Sequence, residues 1–317
     1  MKKKDNLTQS SINQYIGMLK ILNNEKEPKN LKYLKKTTNI IDKLKDKSSN
    51  TKKSYFACLV SMLKLDGGKE YEKALKVYKT NMDDLNRKSN KAQEQNRLSE
   101  KQKENWITSN EMDKKYSDLE KKVKKLKPID FEERKYYKDL LDFTILSLYL
   151  LIFPRRSKDY TQMNLILTND QDKIKNLSNK LNYYDPFKNE FIFNEYKTSK
   201  KFGQQIIKVP LKLKNILSNL TKYNSLLKDA KDDSIPMFLQ SNGRRITPDY
   251  ITKSLNRIFD KKISTSMIRH IVISEKFGKL LKEQQKVADA MAHSLGMQKA
   301  YIKYPDNKVN HDKVIEV

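Results

Sequence analysis

The sequence predicts a mainly α-helical protein of two domains, with one small antiparallel β-sheet in the second domain. Apolar residues recur at helical spacing through both halves of the chain, and glycine and proline, which interrupt helices, number only 7 and 8 among 317 residues. Short runs that alternate apolar and polar side chains, as strands do, occur only in the second half. A chain of this length is sufficient for two hydrophobic cores.

The first domain is predicted to span residues 1–90 and to be entirely helical. Apolar residues share one helical face in four successive stretches, which begin near residues 10, 31, 50 and 71, and the second of these covers Leu31–Leu44. Residues 91–105 are polar with few apolar anchors, so they are predicted to be a linker that continues the fourth helix.

The second domain is predicted to span residues 106–317 and to begin with a helix that starts at Thr108 or Ser109. An apolar helix is predicted over 137–153. From Leu211 onward the pattern is helical again. One of these later helices has a clear start at Thr247, where an N-cap hydroxyl precedes a proline at the first helical position.

Strands are predicted only between these two helical regions. Met163–Leu167 is typical of one short strand, and residues 169–189 are predicted to be a polar insertion. Glu190–Tyr196 alternates aromatic and polar residues, and Gln205–Val209 is its predicted partner, joined to it by a turn over Lys197–Gly203.

The charge of the chain points to a polyanionic partner. The formal net charge is +27, spread over both halves, and a charge of that size destabilises a compact state by self-repulsion. Nucleic acid is the first candidate. A membrane surface is less suitable because no stretch pairs a basic face with a strong Trp/Phe/Leu face. A lysine-rich composition set by an AT-rich genome is the alternative that involves no partner.

Cysteine and histidine are too few for most metal sites. Cys58 is the single cysteine, and there are three histidines. We therefore expect no disulfide and no metal or other cofactor. The first residues lack the apolar stretch of a secretory signal, and the most apolar run, Leu140–Phe153, is too short to span a bilayer. The sequence predicts a soluble intracellular protein.

Four segments of the second domain carry groups that suit cleavage of a phosphodiester. That reaction requires a nucleophile, cationic donors for the phosphate oxygens and an acid for the leaving oxygen, and arginine grips two phosphate oxygens at once. The segments read FPRRSKDYTQM (153–163), NEYKTSKKFGQQIIKVPL (194–211), STSMIRHIVIS (264–274) and MAHSLGMQKAYIKY (291–304).

In this order the four segments resemble the active-site boxes of the tyrosine recombinases, the phage-integrase-like family. The amino-acid sequences of these segments are most similar to those of the recombinases of virophages, polinton-like elements and large DNA viruses of protists. The resemblance covers about residues 106–304. It implies the tyrosine recombinase fold, in which the helical N-terminal domain is a core-binding domain that contacts DNA.

The resemblance implies a role for one arginine in the first segment. The family pattern places an acid three residues after that arginine, which Arg156 satisfies through Asp159. Arg155 is the alternative, and it would place Lys158 at the acid position. In the second segment Lys197, in the hairpin turn, matches the family's lysine, with Lys200 and Lys201 as neighbours.

The last two segments supply the remaining implied residues. Arg269 matches the second arginine, although the histidine that many members have three residues earlier is Ser266 here. His293 would bind or orient the scissile phosphate, and Tyr301 would attack it. Family members commonly have nine residues from this histidine to the tyrosine. Tyr301 lies eight residues after His293 and Tyr304 eleven, so both remain open.

The resemblance implies a DNA strand transferase that makes a 3′-phosphotyrosyl intermediate without cofactor, metal or small-molecule substrate. Its implied partners are double-stranded DNA and three further copies, as a homotetramer on two sites. The host nucleus or a viral factory is the implied location if the element is viral. Two alternatives remain: a type IB topoisomerase-like enzyme, which a helical N-terminal domain disfavours, and a non-catalytic DNA-binding protein.

Overall fold

A computed structural model of the chain describes residues 9–66, 68–94, 98–126, 134–303 and 314–315. The chain divides into two compact units, an N-terminal unit (Met1–Ser99) and a C-terminal unit (Glu100–Val317). The division falls within the segment 91–105 that the sequence predicts to be a linker.

The N-terminal unit is helical throughout its described residues. Its α-helices are α1 (Gln9–Leu22), α2 (Thr37–Lys43), α3 (Ser49–Asp66) and α4 (Glu72–Glu94), with 3-10 turns at Lys32–Lys35 and Lys69–Tyr71. The single helix predicted from residue 31 to 44 is wrong: Lys36 leaves the helical conformation between the first 3-10 turn and α2. Two β-branched threonines follow Lys36, and such residues favour continuation of a helix weakly.

One apolar core holds the N-terminal unit together. Its fully buried residues include Tyr78 and Leu34, and the Tyr78 hydroxyl donates a hydrogen bond of 2.6 Å to the carbonyl of Leu34. Cys58 lies in the same core, where burial raises the pKa of its thiol to about 12. The thiolate is the reactive form of cysteine, so this thiol is poorly reactive.

The C-terminal unit contains ten α-helices among its described residues. They are α5 (Glu100–Asn105), α6 (Ser109–Lys124), α7 (Arg134–Leu150), α8 (Ser157–Thr161), α9 (Gln171–Lys175), α10 (Ser199–Phe202), α11 (Leu211–Lys222), α12 (Pro248–Phe259), α13 (Thr265–Ala290) and α14 (Leu295–Tyr301). None of the helices described in either unit is long and apolar enough to cross a membrane.

Two of these helices begin where the sequence predicts. The Thr108 side chain accepts a hydrogen bond from the amide of Glu111, whose carboxylate accepts one from the amide of Thr108. The Thr247 hydroxyl likewise accepts from the amide of Tyr250 and precedes Pro248 at the start of α12. Both caps satisfy amides that have no partner within the helix.

A mixed β-sheet lies in the middle of the C-terminal unit. Its strands are β1 (Met163–Ile166), β2 (Asn182–Asp185), β3 (Glu190–Phe193), β4 (Gln205–Lys208), β5 (Ser234–Pro236) and the two-residue β6 (Val314–Ile315). The order across the sheet is β5-β1-β2-β3-β4-β6. The predicted hairpin of β3 and β4 is confirmed.

The prediction of a purely antiparallel sheet is wrong. Strands β1 and β2 are parallel, as are β4 and β6. The chain crosses from β1 to β2 through α9, and such a crossover returns the second strand in the direction of the first. The predicted polar insertion 169–189 therefore contains a buried strand.

Strand β5 interrupts the region predicted to be helical from Leu211 onward. It is short and includes Pro236, which a strand tolerates at the edge of a sheet, where β5 lies. Neither β2 nor β5 has enough apolar alternation to predict a strand from sequence.

Helix α7 is the buried centre of the C-terminal unit, as the apolar run of 137–153 predicts. Its one charged residue in the middle of that run, Asp142, is nearly inaccessible to solvent. The carboxylate accepts hydrogen bonds of 2.9 and 2.6 Å from Nε and Nη2 of Arg257 on α12. A bidentate pair compensates for burying the charge and ties α12 to α7.

The cap of α6 generates a pH-dependent stability that can be measured. Hydrogen bonds from the Thr108 amide and from the Lys261 side chain lower the pKa of Glu111 from 4.5 to about 2. Because the folded-state pKa is lowered, this carboxylate stabilises the fold fully above pH 4.5, and its contribution is lost as the pH falls toward 2. We expect Glu111→Gln to reduce the loss of unfolding free energy that occurs between pH 4.5 and pH 2.

Urea unfolding followed by fluorescence of Trp106 measures this effect, because Trp106 is the single tryptophan and lies in the C-terminal unit. Asp113→Asn is the matched control, since Asp113 is an exposed carboxylate of the same helix. If the free energy of unfolding depends on pH in the same way in both variants, the stabilising role of the Glu111 carboxylate is contradicted.

Candidate functional site

A concave pocket of about 270 Å³ in the C-terminal unit gathers three guanidinium groups. Three arginines and one acid give the pocket a net positive charge, which suits an anion. We call it the arginine pocket, and it is lined by Phe153, Pro154, Arg155, Arg156, Asp159, Gln205, Ile207 and Arg269.

Arg155 is the best-fixed of the three arginines. Its Nε donates a hydrogen bond of 3.0 Å to Oδ2 of Asp159, and its Nη1 donates one of 2.8 Å to Oε1 of Gln205. The guanidinium also lies over two aromatic rings, 3.8 Å from the centroid of Phe193 and 4.9 Å from that of Tyr196. Arginine combines planar stacking with two directed donors, which lysine cannot.

A buried amide joins the element that carries Asp159 to the predicted lysine hairpin. Asn182 on β2 is fully buried, and its Nδ2 donates to the carbonyls of Asp159 (2.8 Å) and Glu195 (3.0 Å). Its Oδ1 accepts from the amides of Asn194 (2.9 Å) and Glu195 (2.8 Å). All hydrogen-bonding groups of the side chain are thus satisfied, which fixes the end of β3 relative to α8.

Asp159 is the one carboxylate of the pocket. Burial raises the pKa of Asp159 above its ordinary value, and the guanidinium groups of Arg155, Arg156 and Arg269 act in the opposite direction. The direct hydrogen bond to Arg155 engages the carboxylate.

The other two arginines are available to a ligand. Arg156 is the residue immediately before α8, and Arg269 lies in the second turn of α13, where Ile268 and Ile271 are buried. Both arginines are half-buried. Their guanidinium groups make no hydrogen bond or ion pair with any residue that the structure describes. They can therefore donate to an anion without breaking an existing contact.

Lys197 lies in the connection between β3 and β4, as predicted, and its side chain is exposed. The preceding residue, Tyr196, packs on Arg155 and donates a hydrogen bond of 2.7 Å to the carbonyl of Gly203. Gly203 has a φ of +67°, which an L side chain rarely adopts. The loop that carries Lys197 therefore begins at the wall of the arginine pocket.

His293 and Tyr301 lie together at the far end of α13. Their ring centroids are 5.6 Å apart. His293 Nδ1 is 3.2 Å from the carbonyl of Ser294, and its Nε2 is buried without a partner among the described residues. Tyr301 is 64% exposed, so its hydroxyl can reach an external substrate. The alternative nucleophile, Tyr304, lies outside the described residues.

The structure does not bring this pair to the arginine pocket. Helix α13 is continuous from Thr265 to Ala290, and at 1.5 Å per residue Ala290 is about 32 Å from Arg269 along the axis. Arg155, Arg156 and Arg269 thus form one group and His293 with Tyr301 another.

Two residues that build the site, one of them outside the lining of the pocket, have no signal in the sequence. Asn182 lies in the segment predicted to be an insertion, and Gln205 is one of two adjacent glutamines whose difference depends on strand register. The apolar helix that precedes Arg155 is the sequence feature that indicates a functional arginine here, but it precedes Arg156 equally and does not distinguish the two. The structure distinguishes these two arginines through the contacts of Arg155.

No group of three or more His, Cys, Asp or Glu side chains that could hold a metal ion occurs in the described part of the chain. Comparison with protein-family models, with curated proteins and with solved structures finds no match to this chain.

The contacts of Arg155 predict that it, and not Arg156, stabilises the pocket. We expect Arg155→Lys to lower the free energy of unfolding of the C-terminal unit by about 1–3 kcal/mol, since lysine keeps the charge but leaves Asp159 and Gln205 without their donors. Arg156→Lys is the matched control and should change it by less than about 0.5 kcal/mol. Urea titration followed by Trp106 fluorescence measures both. A larger loss in Arg156→Lys would contradict this assignment.

Proposed function

We propose that the protein is a site-specific DNA recombinase that cuts and rejoins DNA through a tyrosine nucleophile. The observation that carries the proposal is the arginine pocket, since Arg156 and Arg269, 113 residues apart in the sequence, line one cavity with their guanidinium groups unpaired by described residues. The four sequence segments that resemble recombinase boxes support it. The net charge of +27 suits a duplex partner.

Each group has a role in the proposed reaction. Arg156 and Arg269 would hold the non-bridging oxygens of the scissile phosphate, with Arg155 as the fixed support of the pocket. His293 would bind or orient the same phosphate. The Tyr301 phenol would release its proton to water, and its oxygen would attack phosphorus to form a 3′-phosphotyrosyl bond while the bond to the 5′-oxygen breaks. Lys197 would give its proton to that oxygen. Attack of a 5′-hydroxyl on the phosphotyrosyl bond would then rejoin the strands and release the tyrosine.

The separation of Tyr301 from the pocket favours one alternative, a DNA-binding protein without catalytic activity. Both proteins would bind duplexes in a salt-sensitive manner, since lysine and arginine contacts to phosphate release counterions. They differ only in the covalent intermediate, so the test must detect that bond.

Covalent trapping tests the proposed function. The chain is incubated, without magnesium, with nicked or suicide duplexes taken from the ends of the element that encodes it, and then denatured. We expect a protein–DNA adduct that survives Tyr304→Phe and disappears in Tyr301→Phe and in Arg269→Ala. The reverse pattern for the tyrosines would move the nucleophile to Tyr304. Salt-sensitive binding without any adduct would establish the non-catalytic alternative.

The proposed reaction requires that the far half of α13 approaches the pocket. Beyond Ile271, exposed apolar side chains recur three, four or seven residues apart on one helical face, and Ala288 alone among the described residues of this half is buried. The row comprises Ile273, Phe277, Leu280, Val287 and Met291. An exposed row at this spacing is typical of a helix face that packs on another element.

Gly278 is the one point where α13 is intrinsically weak, since glycine in a helix costs about 1 kcal/mol relative to alanine. The lengths also match: Arg269 to Gly278 spans about 14 Å and Gly278 to Ala290 about 18 Å. A bend at Gly278 would therefore return Ala290, three residues before His293, to within about 4 Å of the level of Arg269 along the helix axis. We propose that α13 folds back in this way on DNA and covers its own apolar row.

Gly278→Ala tests the bend, because no atom lies within 4 Å of the added methyl group and the change acts on helix stability alone. A preference of about 1 kcal/mol for the straight helix should reduce adduct formation about fivefold. Gly17→Ala is the matched control, since Gly17 lies within α1 with the same open surroundings. Equal losses in both variants would contradict a bend at Gly278.

Spin labels at Ser266→Cys and Gln285→Cys report the bend directly. Cys58 remains in place because it is buried and poorly reactive. The labels should be about 28 Å apart on the straight helix and about 13 Å apart after folding back. The short distance of about 13 Å should persist when labelled chains are diluted into unlabelled ones, because the two labels then lie within one chain. A short distance that disappears on dilution would instead show that a second copy covers the apolar row.

A further inference from the structure

Gln205 completes the set of donors around the arginine pocket. We propose that its side-chain amide binds a non-bridging oxygen of the scissile phosphate, together with Arg156 and Arg269. The inference rests on the proposed function, because it assigns a further residue to that same site.

The orientation of the Gln205 amide follows from the chemistry of its partner. Arginine can only donate hydrogen bonds, so the atom that faces Nη1 of Arg155 at 2.8 Å must be the amide oxygen. The Nε2 group then points away from Arg155 and carries two N–H donors. Neither donor is used by a residue that the structure describes. An amide placed in this way in the wall of a cavity offers its donors to a ligand.

The backbone holds this amide in place. Gln205 is the first residue of β4 and pairs with Phe193 at the end of β3, and its side chain is half-buried. Phe193 also lies under the guanidinium of Arg155. The same residue therefore positions both the backbone of Gln205 and the arginine to which its side chain is hydrogen-bonded. A donor held in advance does not need to be ordered when the substrate binds.

The electrostatics of the pocket suit donation from Gln205 to an anion. The single acid of the pocket, Asp159, is engaged by Arg155 and does not compete for these donors. The hydrogen bond from Arg155 draws electron density from the amide oxygen, which strengthens the N–H groups as donors. Through this hydrogen bond the half-buried Arg155 strengthens Gln205 as a donor to the ligand, and Gln205 adds no charge of its own.

The adjacent residue provides a matched control. Gln204 is exposed, and its Nε2 donates to Oδ1 of Asn194 at 2.7 Å, away from the lining of the pocket. Gln205→Glu and Gln204→Glu remove the same donors and add the same charge one residue apart. A glutamate at 205 can still accept the hydrogen bond from Arg155, so the fold should survive, which Trp106 fluorescence during urea unfolding verifies.

We expect Gln205→Glu to slow adduct formation on the suicide duplex by about 100-fold, the usual loss when one donor to a reacting oxygen is removed. Gln204→Glu should change the rate by less than about threefold. Equal rates for the two variants would overturn the proposal.

A sulfur substitution distinguishes contact with the phosphate from a structural role. Suicide duplexes with a single phosphorothioate at the scissile position are used as separate Rp and Sp diastereomers. Sulfur accepts hydrogen bonds poorly, so the wild-type rate should fall for the diastereomer whose sulfur faces Gln205. In Gln205→Leu that difference should shrink, and in Gln204→Leu it should persist. A difference that is unchanged in Gln205→Leu would overturn the proposal even if the rate has fallen.

Failure of this inference is distinguishable from failure of the proposed function. If the wild-type chain forms no adduct on any duplex, the recombinase proposal fails, and binding of the unmodified duplex becomes the measurement. Gln205→Glu should then weaken binding at least fivefold more than Gln204→Glu does. Equal binding by both variants would reject Gln205 as a phosphate ligand in either case.

Discussion

The ion pair between Arg155 and Asp159 is the contact on which the candidate site depends. One guanidinium joins α8, β3 and β4, because it donates to Asp159 and Gln205 and lies over Phe193. Removal of one partner of a buried pair costs about 3–5 kcal/mol, since the other charge remains without compensation. Arg155, held by these contacts, supports the pocket. The guanidinium groups of Arg156 and Arg269 make no hydrogen bond with a described residue, so they can bind an anion.

The amide of Asn182 extends this support to the lysine hairpin. It hydrogen-bonds the carbonyl of Asp159 on one side and the backbone at Asn194 and Glu195 on the other. The position of the loop with Lys197 relative to the arginines is thus set by a buried polar network. Such a network is specific because each unsatisfied member would cost free energy.

The far end of the C-terminal unit is built differently. Helix α13 is packed as far as Ile271 and then exposes apolar side chains as far as its end. The pocket is thus held by hydrogen bonds of Arg155, while His293 and Tyr301 follow a stretch of α13 whose apolar side chains are mostly exposed. In the proposed reaction, Tyr301 and the phosphate donors would meet only after α13 bends, so the protein would not cut DNA before it has bound a complete site.

The sequence by itself determined the helical class, the hairpin of β3 and β4, the buried α7 and the caps at Thr108 and Thr247, because each depends on local periodicity or on a side chain three residues away. It also supplied the candidates Arg156, Lys197, Arg269, His293 and Tyr301. Only the tertiary structure decided that β1 and β2 are parallel, that Asp159 pairs with Arg155 and that Gln205 faces the pocket. These features depend on strand register and on contacts between residues distant in the chain, and local pattern carries no information about either.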